Sequence, residues 1–92
     1  MFVVIAYDVA ARRTEKYRKL CSRYLMGAQF SVFLGDVTEV KYRQLSKDLH
    51  HLLQEQDRVL VVSTSNRRNI QVSHWTIHGE ANDVNHLGSG VL

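Results

Sequence analysis

Residues 2–13 of the chain, FVVIAYDVAARR, decide the fold because they join an entirely apolar strand to a basic segment. Residues 2–7 are continuous, apolar and rich in β-branched side chains, which is typical of a strand that is buried on both faces. We therefore expect this strand to be central in its sheet. It ends at a single acid, Asp8, and Arg12 and Arg13 follow on a connection that we predict to be exposed to solvent.

The length and composition limit the class of protein. A chain of 92 residues makes one domain, and 45% apolar with 23% charged residues is ordinary for a globular protein without disordered blocks. The single cysteine, Cys21, excludes an internal disulfide and is compatible with a reducing compartment. The apolar start is too short for a membrane span and has no cationic residues before it, so we predict a cytoplasmic protein that contacts no membrane.

The positive charge is concentrated where a nucleic acid could be bound. Six of the twelve Lys and Arg residues fall within residues 12–23, and a net charge of +3 favours polyanionic partners. Contacts from such side chains to phosphate do not depend on base sequence. The candidate nucleic-acid-binding residues are Arg12, Arg13, Lys16, Arg67 and Arg68.

The hydrophobic periodicity predicts six elements along the chain. Apolar residues at helical spacing from residue 14 onward predict a first helix, and Thr38 is a suitable N-cap for a second. Between them we expect one strand, kinked near Ser31, with Phe30 and Phe33 packed in the core. The remaining predicted segments are the helix DVTEVKYRQLSKDLHHLL at 36–53, a continuous apolar strand RVLVVS at 58–63 and an alternating strand IQVSHWTIH at 70–78.

This order of elements predicts an α+β sandwich of the ferredoxin-like class over residues 1–78, with two helices on one face of an antiparallel-rich sheet. Residues 2–7 and 59–62 are apolar on both faces, whereas two helices cover only one. No residues remain to cover the other face, so we expect a second copy to pack sheet to sheet about a two-fold axis. The tail at 79–92 receives no predicted structure.

Asp8 has two possible explanations at this stage. An aspartate that closes a strand is most often an N-cap or a turn residue. In a face-to-face dimer, however, Asp8 occurs twice, and two adjacent carboxylates are costly unless a proton or a cation lies between them. Mg²⁺ is bound by one or two carboxylates with several waters, and such waters can attack a phosphodiester.

The segment VVIAYDV at 3–9, the basic helix after it and QFSVFLGDVT at 29–38 together resemble the Cas-two family of small CRISPR-associated proteins. The resemblance implies a homodimer in which the acid that closes the first strand, here Asp8, is the catalytic and metal-binding residue, with Mg²⁺ or Mn²⁺ as cofactor. Tyr7 and Phe33 match aromatic positions of the motifs and are supporting residues.

The resemblance also implies a function in spacer acquisition. The expected activity is hydrolysis of single-stranded RNA or of a DNA duplex, or a scaffold role in which the dimer bridges the integrase Cas-one on spacer DNA. The tail at 79–92 is a possible docking segment for that partner. The alternatives are a non-catalytic DNA-binding bridging module and a toxin-type ribonuclease of related fold.

Overall fold

The fold is built around one antiparallel sheet of four strands. The structure, a computed structural model, describes residues 1–81. Its elements are β1 (Phe2–Asp8), α1 (Ala11–Ser22), β2 (Met26–Gln29), β3 (Val32–Asp36), α2 (Glu39–Leu52), β4 (Arg58–Thr64), β5 (His74–Thr76) and β6 (Gly79–Ala81). The sheet order is β2-β3-β1-β4, and β5 and β6 form a separate hairpin. The predicted ferredoxin-like α+β class is confirmed.

Strand β1 is central, as its apolar sequence predicts. It pairs antiparallel with β3 on one side and with β4 on the other, so that Val4 lies opposite both Leu34 and Val62. Val3 and Ile5 belong to the core between the sheet and the helices, whereas Phe2 packs with Leu34 on the other face. Both faces of β1 therefore carry buried side chains.

The two helices cover one face of the sheet with apolar stripes. Tyr17 and Leu20 of α1 are buried there, as are Leu45 and Leu49 of α2. The predicted cap of α2 is confirmed, because Oγ1 of Thr38 accepts a hydrogen bond of 3.1 Å from the backbone N–H three residues later. Helix α1 begins earlier than predicted, at Ala11, and no side chain caps its first turn.

The single kinked strand predicted at 28–35 is wrong, because the chain makes a β-hairpin there. Strands β2 and β3 are joined by the two-residue turn of Phe30 and Ser31, and Gln29 pairs with Val32. Ser31 has φ +63°, the left-handed region that few residues other than glycine adopt. The turn lacks the glycine or asparagine that usually marks such a hairpin, so the sequence does not announce it.

The second face of the sheet is only partly open. Ile70 and Val72 pack against Phe2 and Leu34, so the prediction that no residues remain to cover this face is wrong in part. The predicted strand at 70–78 is correspondingly shortened to β5, because the backbone of residues 70–73 crosses the sheet instead of pairing.

Strand β4 lies at the edge of the sheet, and its apolar face away from the helices is exposed in the single chain. Leu60 is 64% exposed and Val62 is 41% exposed. Both lie on the face away from the helices, since each is opposite an even-numbered residue of β1. Apolar surface therefore remains uncovered beside β1.

The C-terminal part of the chain is described only to the end of β6. The first three residues of the predicted tail form that strand, and the docking segment predicted at 79–92 otherwise lies outside the described residues. Within residues 1–81, no helix has the length and hydropathy that crossing a membrane requires.

Candidate active site

Asp8 is an exposed acid held at the end of a buried strand. It is the last residue of β1, and the N-cap position of α1 belongs to Ala10, with no side chain capping the helix. Within the part of the chain that the structure describes, the Asp8 carboxylate forms no hydrogen bond or ion pair. The N-cap explanation therefore fails, and the carboxylate is free to bind a cation.

An arginine lies directly across the sheet from Asp8. Because β1 and β4 are antiparallel, the first residue of β4, Arg58, is the register partner of Asp8. Directly opposite residues share a face, with their Cβ atoms about 5 Å apart. Both line a shallow depression of about 250 Å³, together with Ala6, Tyr7, Val59 and Leu60.

Arg58 was not among the predicted site residues. The signal that could have found it is an acid at the end of one strand and an arginine at the start of another. That signal becomes informative only when the two strands are known to be antiparallel neighbours. Sequence periodicity predicts both strands but not which strands are adjacent.

The β2–β3 turn flanks Asp8 on the opposite side of β1. The backbone N–H of Tyr7 donates a hydrogen bond of 3.0 Å to the carbonyl of Ser31, so the tip of the hairpin lies beside the end of β1. At that tip Phe30 is 86% exposed, which contradicts its predicted place in the core. Phe33 is buried as predicted.

Aromatic side chains support the end of β1 from the helix side. The ring of Tyr7 stacks on Tyr17 at a centroid distance of 5.3 Å and on Phe33 at 6.2 Å. Burial raises the pKa of the Tyr7 hydroxyl. Because Tyr7 and Asp8 are consecutive in a strand, their side chains point to opposite faces. Tyr7 and Phe33 therefore pack on the helix side of the sheet, and their supporting role at the site stays a prediction.

Arg13 is buried, and the prediction that it lies on an exposed connection is wrong. Its Nε donates to both carboxylate oxygens of Asp57, at 3.1 and 3.0 Å, and its Nη2 donates to the carbonyl of Leu52 at 2.7 Å. The Tyr17 hydroxyl donates to the same carboxylate at 2.6 Å. Arg13 therefore joins α1 to the segment after α2, and its role in binding nucleic acid stays a prediction.

These bonds shift two pKa values in opposite directions. The hydrogen bond from Arg13, followed by the one from Tyr17, lowers the pKa of Asp57 to about 2. Burial, followed by the hydrogen bond to Asp57, raises the pKa of Tyr17 to about 12. The network is therefore built around an ionised carboxylate and a protonated phenol.

The other predicted cations fall into two groups. Arg12 and Lys16 are exposed on the first turns of α1, as the cationic helix face predicts. Arg67 instead places its guanidinium over the ring of Phe2, 4.5 Å from the centroid, and donates to the Ile70 carbonyl at 2.6 Å. Arg67 and Arg68 therefore lie near the start of β1. Because β1 has seven residues, Asp8 at its other end is about 20 Å away within one protomer.

Asp8 is not part of an acidic or histidine cluster within the described residues. Among residues 1–81, no group of three or more His, Cys, Asp or Glu side chains is placed to hold a metal ion. A larger depression of about 530 Å³ lies at the opposite end of the sheet, between Met1, Asp36 and Lys41, and does not contain Asp8. A lone carboxylate such as that of Asp8 is compatible with Mg²⁺, which accepts one or two carboxylates and keeps several waters.

The comparison with known proteins identifies the family. The family model described as CRISPR associated protein Cas2 matches residues 1–71, which is more than half of the chain. The chain belongs to the Cas2 family. The predicted resemblance to Cas-two is thereby confirmed.

Individual Cas2 proteins are similar over the same region. The chain is 36% identical over 69 residues to the protein named CRISPR-associated endoribonuclease Cas2 3 of Thermodesulfovibrio yellowstonii, covering 74% of this chain and 78% of that one. It is also 36% identical over 66 residues to CRISPR-associated endoribonuclease Cas2 of Haloferax volcanii, covering 72% and 77%. A crystal structure of Streptococcus pyogenes Cas2 has a TM-score of 0.65 at 25% identity, covering 78% of this chain and 98% of that chain.

Proposed function

We propose that this Cas2 chain is a homodimeric, divalent-cation-dependent endonuclease that hydrolyses phosphodiester bonds at Asp8 during CRISPR spacer acquisition. One observation carries the proposal: a carboxylate that neither caps a helix nor forms an ion pair is presented at the end of a buried strand. The relatives named endoribonucleases support the reaction class. Exposed cations on both sides of Asp8 support a polyanionic substrate.

In this proposal Asp8 binds the cation and the basic residues around it bind phosphate. Asp8 would hold Mg²⁺ or Mn²⁺, which supplies Lewis acidity toward the phosphate and lowers the pKa of water. Arg58 is placed to donate to an oxygen of the same phosphate, because it faces the depression that Asp8 lines. Arg12 and Lys16 would hold neighbouring phosphates, and the uncapped N-terminus of α1 adds partial positive charge there.

A second copy would complete the site. Leu60 and Val62 lie opposite Ala6 and Val4 of β1. Because alternate residues of a strand share a face, these side chains are on the same face of the sheet as Asp8. Covering the exposed apolar surface of β4 with a second copy therefore brings that copy's strands onto the face that carries Asp8. A two-fold axis near the end of β1 would pair the two carboxylates about one cation.

The test is the hydrolysis of labelled single-stranded RNA and duplex DNA by Asp8→Asn. We expect the substitution to abolish cleavage, because the amide keeps the shape of the side chain and loses the charge that holds the cation. The matched control is Asp36→Asn, which neutralises the acid at the end of β3 that lies at the other end of the sheet. Cleavage that persists in Asp8→Asn, or in wild type with excess chelator, would contradict the proposal.

A scaffold role that bridges the integrase Cas-one is the second candidate, and the β5–β6 hairpin favours it. Trp75 is 72% exposed and Ile77 is 96% exposed at this hairpin, which is an unusual concentration of apolar surface. Trp75→Ala combined with Ile77→Ser should abolish co-elution with the integrase while leaving cleavage intact. Asp8→Asn should have the reverse effect. Loss of both properties in either variant would show that the two roles share one surface.

A further inference from the structure

The exposed ring of Phe30 has no role in the proposed hydrolysis as described so far. A large aromatic side chain at 86% exposure in a tight turn contributes nothing to the core. The backbone nevertheless fixes its position, because the carbonyl of Ser31 accepts the hydrogen bond from Tyr7. The turn is thus one strand spacing, about 5 Å, from the end of β1 that carries Asp8.

The exposed cations nearest to Asp8 lie across β1 from Phe30. On the far side of β1, Arg58 faces the depression next to Asp8, and Arg12 follows in the first turn of α1. The exposed apolar surface around Leu60 lies on the β4 side of β1, whereas Phe30 lies on the β3 side. Phe30 is therefore separated from the apolar patch that a second copy would cover.

We propose that Phe30 is a stacking platform for one unpaired nucleobase of a single-stranded nucleic acid whose phosphate is bound beside Asp8. This inference rests on the proposed function and names its substrate class. An exposed aromatic ring on one side of Asp8 and a cation on the other match the two recurring features of single-strand binding, since bases stack on the ring while the backbone follows positive charge. A paired base in an intact duplex is already stacked on its neighbours and cannot occupy the ring.

The left-handed conformation of Ser31 agrees with this role. A residue other than glycine with φ +63° is held there by its surroundings, here by the hydrogen bond to β1 and the pairing of Gln29 with Val32. Fixing the turn fixes where the aromatic side chain begins. A platform whose backbone is already ordered loses little conformational entropy when a base stacks on it.

The experiment measures binding of a short fluorescein-labelled single-stranded RNA by anisotropy, in chelator to prevent hydrolysis. Phe30→Ala should weaken binding about 5- to 100-fold, the usual effect of removing one base–aromatic stack. Phe30→Trp should retain binding, and its fluorescence should be quenched by the RNA in a Trp75→Phe background. Phe30→Leu, which keeps the apolar area without the aromatic face, should resemble Phe30→Ala.

Two further substrates make the test specific. In a series of the same RNA, one nucleotide at a time is made abasic. At one position of this series, wild type and Phe30→Ala should bind equally, because the missing base and the missing ring belong to one interaction. A fully paired duplex should bind wild type and Phe30→Ala equally. The inference would be overturned if Phe30→Ala bound the single strand as tightly as wild type, or if Phe30→Leu did so. It would also be overturned if Phe30→Ala dissociated a dimer.

The outcome separates this inference from the proposed function. A wild type that binds single strands through Phe30 but hydrolyses no substrate would retain the stacking role and reject the nuclease. A wild type that cleaves duplex DNA and binds no single strand would retain the nuclease and reject the stacking role.

Discussion

Asp57 accepts hydrogen bonds from two side chains of α1, and this gives the protein a defined sensitivity to acid. Its pKa is about 2 in the folded protein, below the ordinary value of 3.8. The unfolded chain therefore binds the proton first, and the stability that the ionised carboxylate contributes is present above about pH 4 and lost as the pH falls through 2.

We expect the thermal unfolding midpoint of the wild type to fall between pH 4 and pH 2, measured by circular dichroism. Asp57→Asn should be less stable at pH 7, by more than about 5 °C, because it leaves the buried guanidinium of Arg13 without its counter-charge. The same variant should depend less on pH across that range. Glu55→Gln, an exposed acid of the same loop, should behave as wild type. An equally steep acid transition in Asp57→Asn would assign the effect to another group.

The exposed cations near Asp8 should act on phosphate and not on bases. Replacing Arg12, Lys16 and Arg58 singly by alanine should weaken single-strand binding for unrelated sequences alike. Each lost phosphate contact should reduce the slope of log affinity against log salt by about 0.7. Arg43→Ala, which removes an exposed charge from α2, serves as the control. A slope that stays unchanged in all three variants would show that the phosphates are bound by other residues.

The burial of Arg13 was within reach of sequence reasoning, whereas its partner was not. Arg13, Tyr17 and Leu20 follow the spacing of one helix face, and that face is the buried one. The proximity of two arginines to an acid favoured an exposed basic track instead. Asp57 lies in a connection far along the chain, and no local pattern links it to α1.

At the scale of elements, the β2–β3 hairpin depends on the conformation of one residue. Ser31 has φ +63°, and a β-branched side chain tolerates this region poorly. Ser31→Val should therefore be about 1–2 kcal/mol less stable than Ser31→Gly in urea unfolding. The paired substitutions Ser63→Val and Ser63→Gly in β4, where the backbone is extended, should reverse the order. Equal stability of the two Ser31 variants would show that the turn relaxes.

Elements with strong periodicity were predictable, and those set by backbone pairing were not. The continuous apolar run predicts β1. The apolar stripe of α2 and its N-cap residue Thr38 predict that helix, because in both elements the sequence defines the face that is buried. The hairpin was missed because its turn, Phe30 and Ser31, contains no glycine, asparagine or aspartate to mark it. The short β5 was overestimated because Ile70 and Val72 alternate as in a strand but pack across the sheet.

At the scale of the whole molecule, the sheet face away from the helices is only partly covered, and we expect a second copy to cover the rest. Light scattering at low micromolar concentration should give about twice the 10.6 kDa chain mass. Leu60→Glu should shift the protein to the monomer, because it places a charge in the apolar surface of β4. Val40→Glu on the exposed side of α2 should remain dimeric. A wild type that is monomeric and well folded would contradict the sheet-to-sheet arrangement and the paired Asp8 site.

The fold class followed from the order of elements, but the set of residues that surround Asp8 did not. Asp8 was recognisable because it ends an apolar run. Its neighbours Arg58 and Phe30 approach it through strands on either side of β1, and that adjacency is a property of the sheet order. Register in a sheet is a long-range choice, which local patterns do not encode.

The central position of β1 also has a consequence for biosynthesis. Of the four strands of this sheet, β1 is translated before the others and needs two neighbours, and the second of these, β4, is translated only after both helices. Until then one edge of a strongly apolar strand is unpaired, which is the condition under which nascent chains associate wrongly. Completion of the sheet must therefore await the synthesis of residue 64 and its emergence from the ribosome.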